Sequence, residues 1–145
     1  QDFTKEQHQK VLEVLEFLEI LELKDKKVHQ MSTGQLRRCI IGRALIHDPN
    51  AFILDEPTVG LDIKSQHSFI KLIQKLSKSA SIIIVTHHIE EIFEEITHVA
   101  LIHNKTIFKQ GKKEDILTSK NLSEIFEIDI DLQKENERYY IKSIK

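Results

Sequence analysis

A chain of 145 residues with only one cysteine, Cys39, holds no internal disulfide and no zinc–cysteine cluster. That usage is compatible with a reducing cytoplasm. Glycine is scarce as well: the four glycines stand at 34, 42, 60 and 111. None belongs to a Gly-x-x-x-x-Gly-Lys-Ser/Thr loop, so no segment supplies that backbone cradle for phosphates or its lysine. No apolar run approaches the roughly 20 residues needed to cross a bilayer, and the N-terminus has no signal-peptide pattern. Charge of one sign is lacking too. The 21 basic and 23 acidic side chains leave a net charge of −2, which argues against a general nucleic-acid or membrane-surface binder. What remains is ordinary for a soluble globular domain, with 40% hydrophobic and 30% charged residues and enough length for one core. The chain opens Gln1-Asp2-Phe3-Thr4 without methionine, as expected of a cut or processed chain.

Thr4 followed by Lys5-Glu6-Gln7 reads as a helix cap, and Val11, Leu12, Leu15 and Leu18 continue at helical spacing, giving a helix from Lys5 to about Leu21. Lys24–Lys27 is a charged break, and Met31–Gln35 a short polar turn. Leu36, Ile40, Ile41, Ala44 and Leu45 mark a second helix, Gln35 to Ile46, stopped by His47-Asp48-Pro49-Asn50. Ala51–Leu54 and Ser81–Thr86 read as fully buried strands, each ending in polar residues, and Ile63 to Leu76 as an amphipathic helix between them. A helix is expected around Glu90 to Glu95, followed by strands at Val99–Ile102 and Thr106–Lys109 joined by Asn104-Lys105. Short helical stretches near Glu114–Leu117 and Leu122–Phe126 precede a last strand, Tyr139 to Ile144. Strand alternating with helix predicts an α/β parallel sheet with helices on its faces. No repeat or low-complexity linker interrupts it, so one domain is the simplest organisation.

In open parallel sheets ligands bind at the carboxyl ends of strands. Here those ends carry Asp55 and Glu56 on one strand and His87 and His88 on the next. Adjacent carboxylates can divide labour beside a metal phosphate, one holding Mg²⁺ directly or through water and the other orienting or deprotonating a water. An isolated Asp-Glu after an apolar run is more often just a polar strand end opening a turn, so the choice rests on its company. His87-His88 with Glu90-Glu91 lacks any histidine at zincin or inverzincin spacing, which argues against a metal centre there. The scattered His8, His29, His47, His67, His98 and His103 read as surface or edge residues. Cys39 reads as buried and inert.

The company decides it. Met31-Ser32-Thr33-Gly34-Gln35 resembles the Leu-Ser-Gly-Gly-Gln signature loop of ATP-binding-cassette (ABC) proteins, and Arg38, Ile41, Arg43, Ala44 and Leu45 match the helix that follows it. Phe52-Ile53-Leu54-Asp55-Glu56-Pro57-Thr58 is similar to the Walker B strand with its glutamate, Val59-Gly60-Leu61-Asp62 to the D-loop, and Ile84-Val85-Thr86-His87 to the switch-histidine strand. The motifs stand in the family's order, and the resemblance covers nearly the whole chain.

The resemblance implies a P-loop NTPase-like α/β fold: the C-terminal half of an ABC nucleotide-binding domain without its Walker A part. Residues 1–47 would close the helical subdomain with the signature motif, 48–110 would run from Walker B to the switch histidine, and 111–145 would form C-terminal helices and a strand. Implied catalytic residues are Glu56, polarising the attacking water, and His87, bonding the γ-phosphate. Ser32, Thr33, Gly34 and Gln35 would grip ATP held by the opposite subunit, since a hydroxyl and first-turn N–H groups at a helix start form an anion site. Thr33 replaces a glycine, and its β-branch is expected to resist positive φ and crowd the phosphate. Asp55 would hold the Mg²⁺ shell through water, and Asp62 would cross the dimer interface. The implied cofactors are ATP and Mg²⁺.

The implied partners are a second ATPase subunit, a membrane permease and the missing N-terminal half, with no nucleic acid, on the cytoplasmic face of the cell membrane. Alone, the chain is expected neither to bind nor to hydrolyse ATP, and to self-associate through exposed apolar sheet surface. Thr58-Val59-Gly60-Leu61-Asp62 is similar to the importer form of that loop. His88 and the tail (Gln110-Gly111, Ile116–Ser123, Phe126, Arg138-Tyr139-Tyr140) resemble bacterial molybdate-type and iron-complex importer ATPases. A soluble regulatory or repair-associated ABC ATPase without a permease is the alternative.

Overall fold

Thr4 caps the first helix, α1 (Lys5–Phe17), as its sequence requires: its hydroxyl accepts from the Gln7 N–H at 3.2 Å, and its own N–H donates to Gln7 Oε1 at 2.9 Å. The computed structural model describes residues 4–144, which cluster into two units dividing between Val85 and Thr86. The helix stops short of the expected Leu21. Glu19 takes a left-handed φ of 57°, the Ile20 N–H reaches back to the Leu15 carbonyl (3.0 Å) and the Glu19 N–H to Glu16 (2.9 Å). That closure turns Leu18, Ile20 and Leu23 into the core.

Helix α2 (Thr33–Leu45) crosses α1 closely at Gly42, where an added Cβ would lie 2.8 Å from Leu18 Cδ1 and 3.4 Å from Val14 Cγ1. Arg38 ties the helices together, donating to the Leu18 carbonyl at 2.5 Å and to Ser68 Oγ at 2.6 Å. Strands β1 (Ala51–Asp55) and β2 (Ser81–Val85) pair in parallel from Ala51↔Ser81 to Asp55↔Val85, with α3 (Ile63–Leu76) as their crossover. The apolar stripe of α3 buries Phe69, Leu72, Ile73 and Leu76.

The expectation that both strands are fully buried is overturned. Period-2 alternation puts Phe52, Leu54, Ile82 and Ile84 on the covered face. Ile53, Ile83 and Val85 stand on the other, 72%, 54% and 47% exposed. Among the described residues this sheet has two strands and cover on one face only. An exposed apolar sheet surface was the expectation for a chain lacking the neighbouring strands, and it is observed.

In the second unit β3 (His98–His103) and β4 (Thr106–Lys112) form an antiparallel hairpin. Asn104 and Lys105 supply its two-residue turn, both at positive φ (48° and 63°), which matches the strand twist. Helices α4 (Lys113–Ile116) and α5 (Ser119–Phe126) follow, then a second hairpin of β5 (Ile130–Glu135) and β6 (Arg138–Ile144) turning at Asn136-Glu137. Strand β5 was not expected. Ser123 Oγ accepts from the Ile130 N–H (2.8 Å) and Ser119 Oγ from the Leu132 N–H (2.9 Å), docking β5 on α5. Ile89, Leu101, Ile116, Leu117, Leu122, Ile130 and Tyr139 form this unit's core.

The helix expected over Glu90 to Glu95 is also corrected: only the turn Ile89–Glu91 is helical, and of 3₁₀ type. The buried Lys113 ammonium donates to the carbonyls of Phe93 (3.2 Å) and Glu94 (2.9 Å), holding that segment in a non-helical course. Parallel pairing is therefore confined to β1–β2, and the remaining described strands pair antiparallel. No helix among the described residues is long and apolar enough to cross a membrane.

Candidate functional site

Ser32 opens α2. Its Oγ accepts from the Gln35 N–H (3.3 Å) while its own N–H donates to Gln35 Oε1 (3.0 Å), a reciprocal cap that orients Ser32 and Gln35 together. The Ser32 oxygen is thereby engaged as an acceptor, and its hydroxyl hydrogen can still be donated. Thr33 and Gly34 are the first two helical residues, and their N–H groups have no acceptor within the helix. The backbone part of the expectation at Thr33 is corrected: no positive φ is required there. The residue lies in a helical turn, a conformation any β-branched residue adopts. Cys39, farther along α2, is half-buried rather than buried, with Sγ 3.7 Å from Met31 Sδ. Partial burial raises its thiol pKa.

Asp55 ends β1 with an exposed carboxylate. Glu56 follows in a left-handed turn (φ 44°), and its N–H donates to the Val85 carbonyl at 2.8 Å, extending the ladder by one bond. A non-glycine residue at such φ is strained and persists only where its surroundings hold it. Pro57 and Thr58 behind it are buried. The chain leaves through Gly60, at φ 76° with open space around it, and enters α3 at Asp62.

Asp62 caps α3. Its Oδ1 accepts from the Ser65 N–H (2.9 Å) and its Oδ2 from the Ser65 hydroxyl (2.7 Å). The Ser65 hydroxyl, then the Ser65 N–H, hold its carboxyl below the usual range. An added Cβ at Gly34 would lie 3.7 Å from Leu61 Cδ2 and 3.8 Å from Ser65 Cβ, so the starts of α2 and α3 are neighbours. The first unit thus gathers Ser32, Thr33, Gly34, Gln35, Asp55, Glu56 and Asp62 on α2, the end of β1 and the start of α3.

Sequence reasoning missed Arg37. Its guanidinium donates to the main-chain carbonyls of Glu56 (3.3 Å), Pro57 and Val59, fastening the Glu56 turn to α2. The available signal was its i,i+3 relation to Gly34, which places the two on one helix face. In the second unit, exposed His87 lies beside half-buried His88, with ring centroids 4.1 Å apart. Thr86 Oγ1 accepts from the His88 N–H at 3.0 Å. Of the six scattered histidines, five are exposed and His103 is half-buried, as expected.

The ABC transporter family model matches residues 1–59, which span α1, the capped start of α2, β1 and the Glu56 turn. An ABC transporter ATP-binding protein of Streptococcus mutans is 33% identical over 116 residues, covering 77% of this chain. The energy-coupling factor transporter ATP-binding protein EcfA2 of Bacillus cereus is 34% identical over 105 residues, covering 71% of this chain. The chain belongs to the ABC transporter ATP-binding family.

It spans 45% and 35% of the lengths of these two relatives. A solved metal-chelate type ABC transporter, in an inward-facing conformation, superposes on 97% of this chain and 57% of its own with a TM-score of 0.84. At 24% identity that likeness speaks for the fold, an ABC ATPase fold of which this chain is a portion.

Proposed function

We propose that this chain is the part of an ABC-type ATPase subunit that carries the hydrolytic carboxylate and the loop gripping the opposite subunit's nucleotide. The observation that carries this is Glu56, held in a left-handed turn at the end of β1, directly after Asp55 and fastened to the helix that begins at Ser32.

The residues suit Mg-ATP by their chemistry. Asp55 offers an exposed hard oxygen at a strand end, apt for holding Mg²⁺ through water. Ser32 retains a donatable hydrogen beside the first-turn N–H groups of Thr33 and Gly34, a donor set for a phosphate. Bound Mg²⁺ would neutralise charge building on the transferring phosphoryl group. Glu56 would accept a hydrogen bond from the attacking water and draw its proton, while His87 would hydrogen-bond the γ-phosphate. Gln35 would hold Ser32 in place through the reciprocal cap. Asp62 would set the loop that crosses to a second subunit. Lacking a lysine-bearing phosphate cradle, the chain needs the remainder of its domain to hold its own nucleotide.

The proposal extends to a dimer of ATPase subunits beneath a membrane permease, on the cytoplasmic face, importing a metal-containing solute such as molybdate or an iron complex. Similarity to an energy-coupling factor transporter protein supports transport, and the importer-like Thr58–Asp62 loop and tail support the cargo class. The test is purification of the complete subunit together with any permease encoded beside it. Co-purification and ATPase activity stimulated by molybdate or a ferric chelate are expected. An active subunit that binds no membrane protein would favour a soluble regulatory or repair-associated ATPase instead.

A further inference from the structure

We infer that Arg37 is a positioning residue for hydrolysis, setting the backbone of the Glu56 turn from α2 and through it the direction of the Glu56 carboxylate. The inference rests on the ATPase reading above. Glu56 occupies a conformation that its own side chain disfavours, at φ 44°. Its backbone is gripped from two sides: the N–H by the Val85 carbonyl of β2 at 2.8 Å, the carbonyl by Arg37 of α2 at 3.3 Å.

The same guanidinium takes the carbonyls of Pro57 and Val59. One side chain therefore collects three main-chain acceptors from four consecutive residues. Inside the turn the described backbone bonds are few, Val59 N–H to Glu56 at 3.3 Å and Leu61 N–H to Thr58 at 3.1 Å. A planar fork with five N–H donors suits this task; an ammonium is a point donor with no fixed fork and cannot reproduce it. The contacts are to carbonyls, so Arg37 acts on where Glu56 points rather than on the reacting atoms.

The test is steady-state Mg-ATP hydrolysis by the complete subunit as wild type, Arg37→Ala, Arg37→Lys, Glu56→Gln and the Arg37→Ala/Glu56→Gln double variant, with Tm measured for each. Arg37→Lys keeps the charge and stem and guards against a folding failure in the alanine variant. Both Arg37 variants are expected to lose about ten- to hundredfold in kcat, with KM for Mg-ATP within about twofold of wild type. Added to Glu56→Gln, Arg37→Ala should cost little more, because its effect passes through that carboxylate.

Wild-type kcat in either single variant, a raised KM with kcat retained, losses that multiply in the double variant, or a loss accounted for by unfolded protein would each overturn the inference. An inactive wild-type subunit would instead overturn the ATPase reading and this inference with it. An active wild type with an unaffected Arg37→Lys removes this inference alone.

Discussion

The Asp62 carboxylate receives both hydrogen-bond donors of Ser65, the hydroxyl at 2.7 Å and the backbone N–H at 2.9 Å. Both favour the ionised form, so the folded carboxyl titrates below its ordinary, unfolded value. The stabilisation it gives is present above that unfolded value and is lost as pH falls through the lower, folded one. Thermal melts from neutrality down to about pH 3, spanning the ordinary carboxyl range, should show Asp62→Ala below wild type at neutral pH with the gap closing in acid. Asp62→Asn should retain more of the neutral stability, since asparagine also caps helices, without that acid dependence. A constant gap for the alanine variant across the range would contradict the capping role.

Gly42 sits where α2 comes close to α1, facing Val14 and Leu18. Alanine there gains about 1 kcal/mol of helix propensity, but its Cβ would stand 2.8 Å from the fully buried Leu18. Overpacking of this kind costs about 1–3 kcal/mol, so urea unfolding should show Gly42→Ala net less stable, by about 1 kcal/mol. A stabilised variant would mean that the helices can separate freely.

Lys113 is 2% exposed and gives its ammonium to the carbonyls of Phe93 and Glu94. Lys113→Met preserves much of the volume and leaves both carbonyls short of a donor. A loss of about 1–3 kcal/mol is expected in denaturant unfolding. Hydrogen exchange should show the loosening concentrated in residues 92–97. Unchanged stability would assign the non-helical course of that segment to another cause.

Local chemistry was legible in the sequence and long-range chemistry was not. Thr4 and Ser32 each stand three residues before a glutamine, so both caps could be read from a few positions, and α3 follows from one apolar stripe. Glu19 in a left-handed closure has no such signal, and α1 was read too long. Strand β5 hides in Ile-Asp-Leu-Gln-Lys-Glu, whose charges suggest a loop until Ser119 and Ser123 dock it. The residues of the candidate site were found by motif, yet Arg37 was missed because its partners lie 19 to 22 positions away. The positive φ weighed for Thr33 is not required, because the Ser32 cap places that residue in the first helical turn.

Nucleotide binding tests what the chain lacks. Its four glycines form no phosphate cradle with a lysine, so titration calorimetry of this chain with Mg-ATP should show no micromolar binding. A saturable micromolar isotherm would reveal a nucleotide site built from other residues.

The proposed hydrolytic role of this chain turns on Glu56. In the complete subunit, single-turnover hydrolysis of bound Mg-ATP by Glu56→Gln should fall about a hundredfold or more below wild type, with nucleotide affinity retained. Hydrolysis by that variant at the wild-type rate would contradict the placement of the hydrolytic carboxylate at the end of β1.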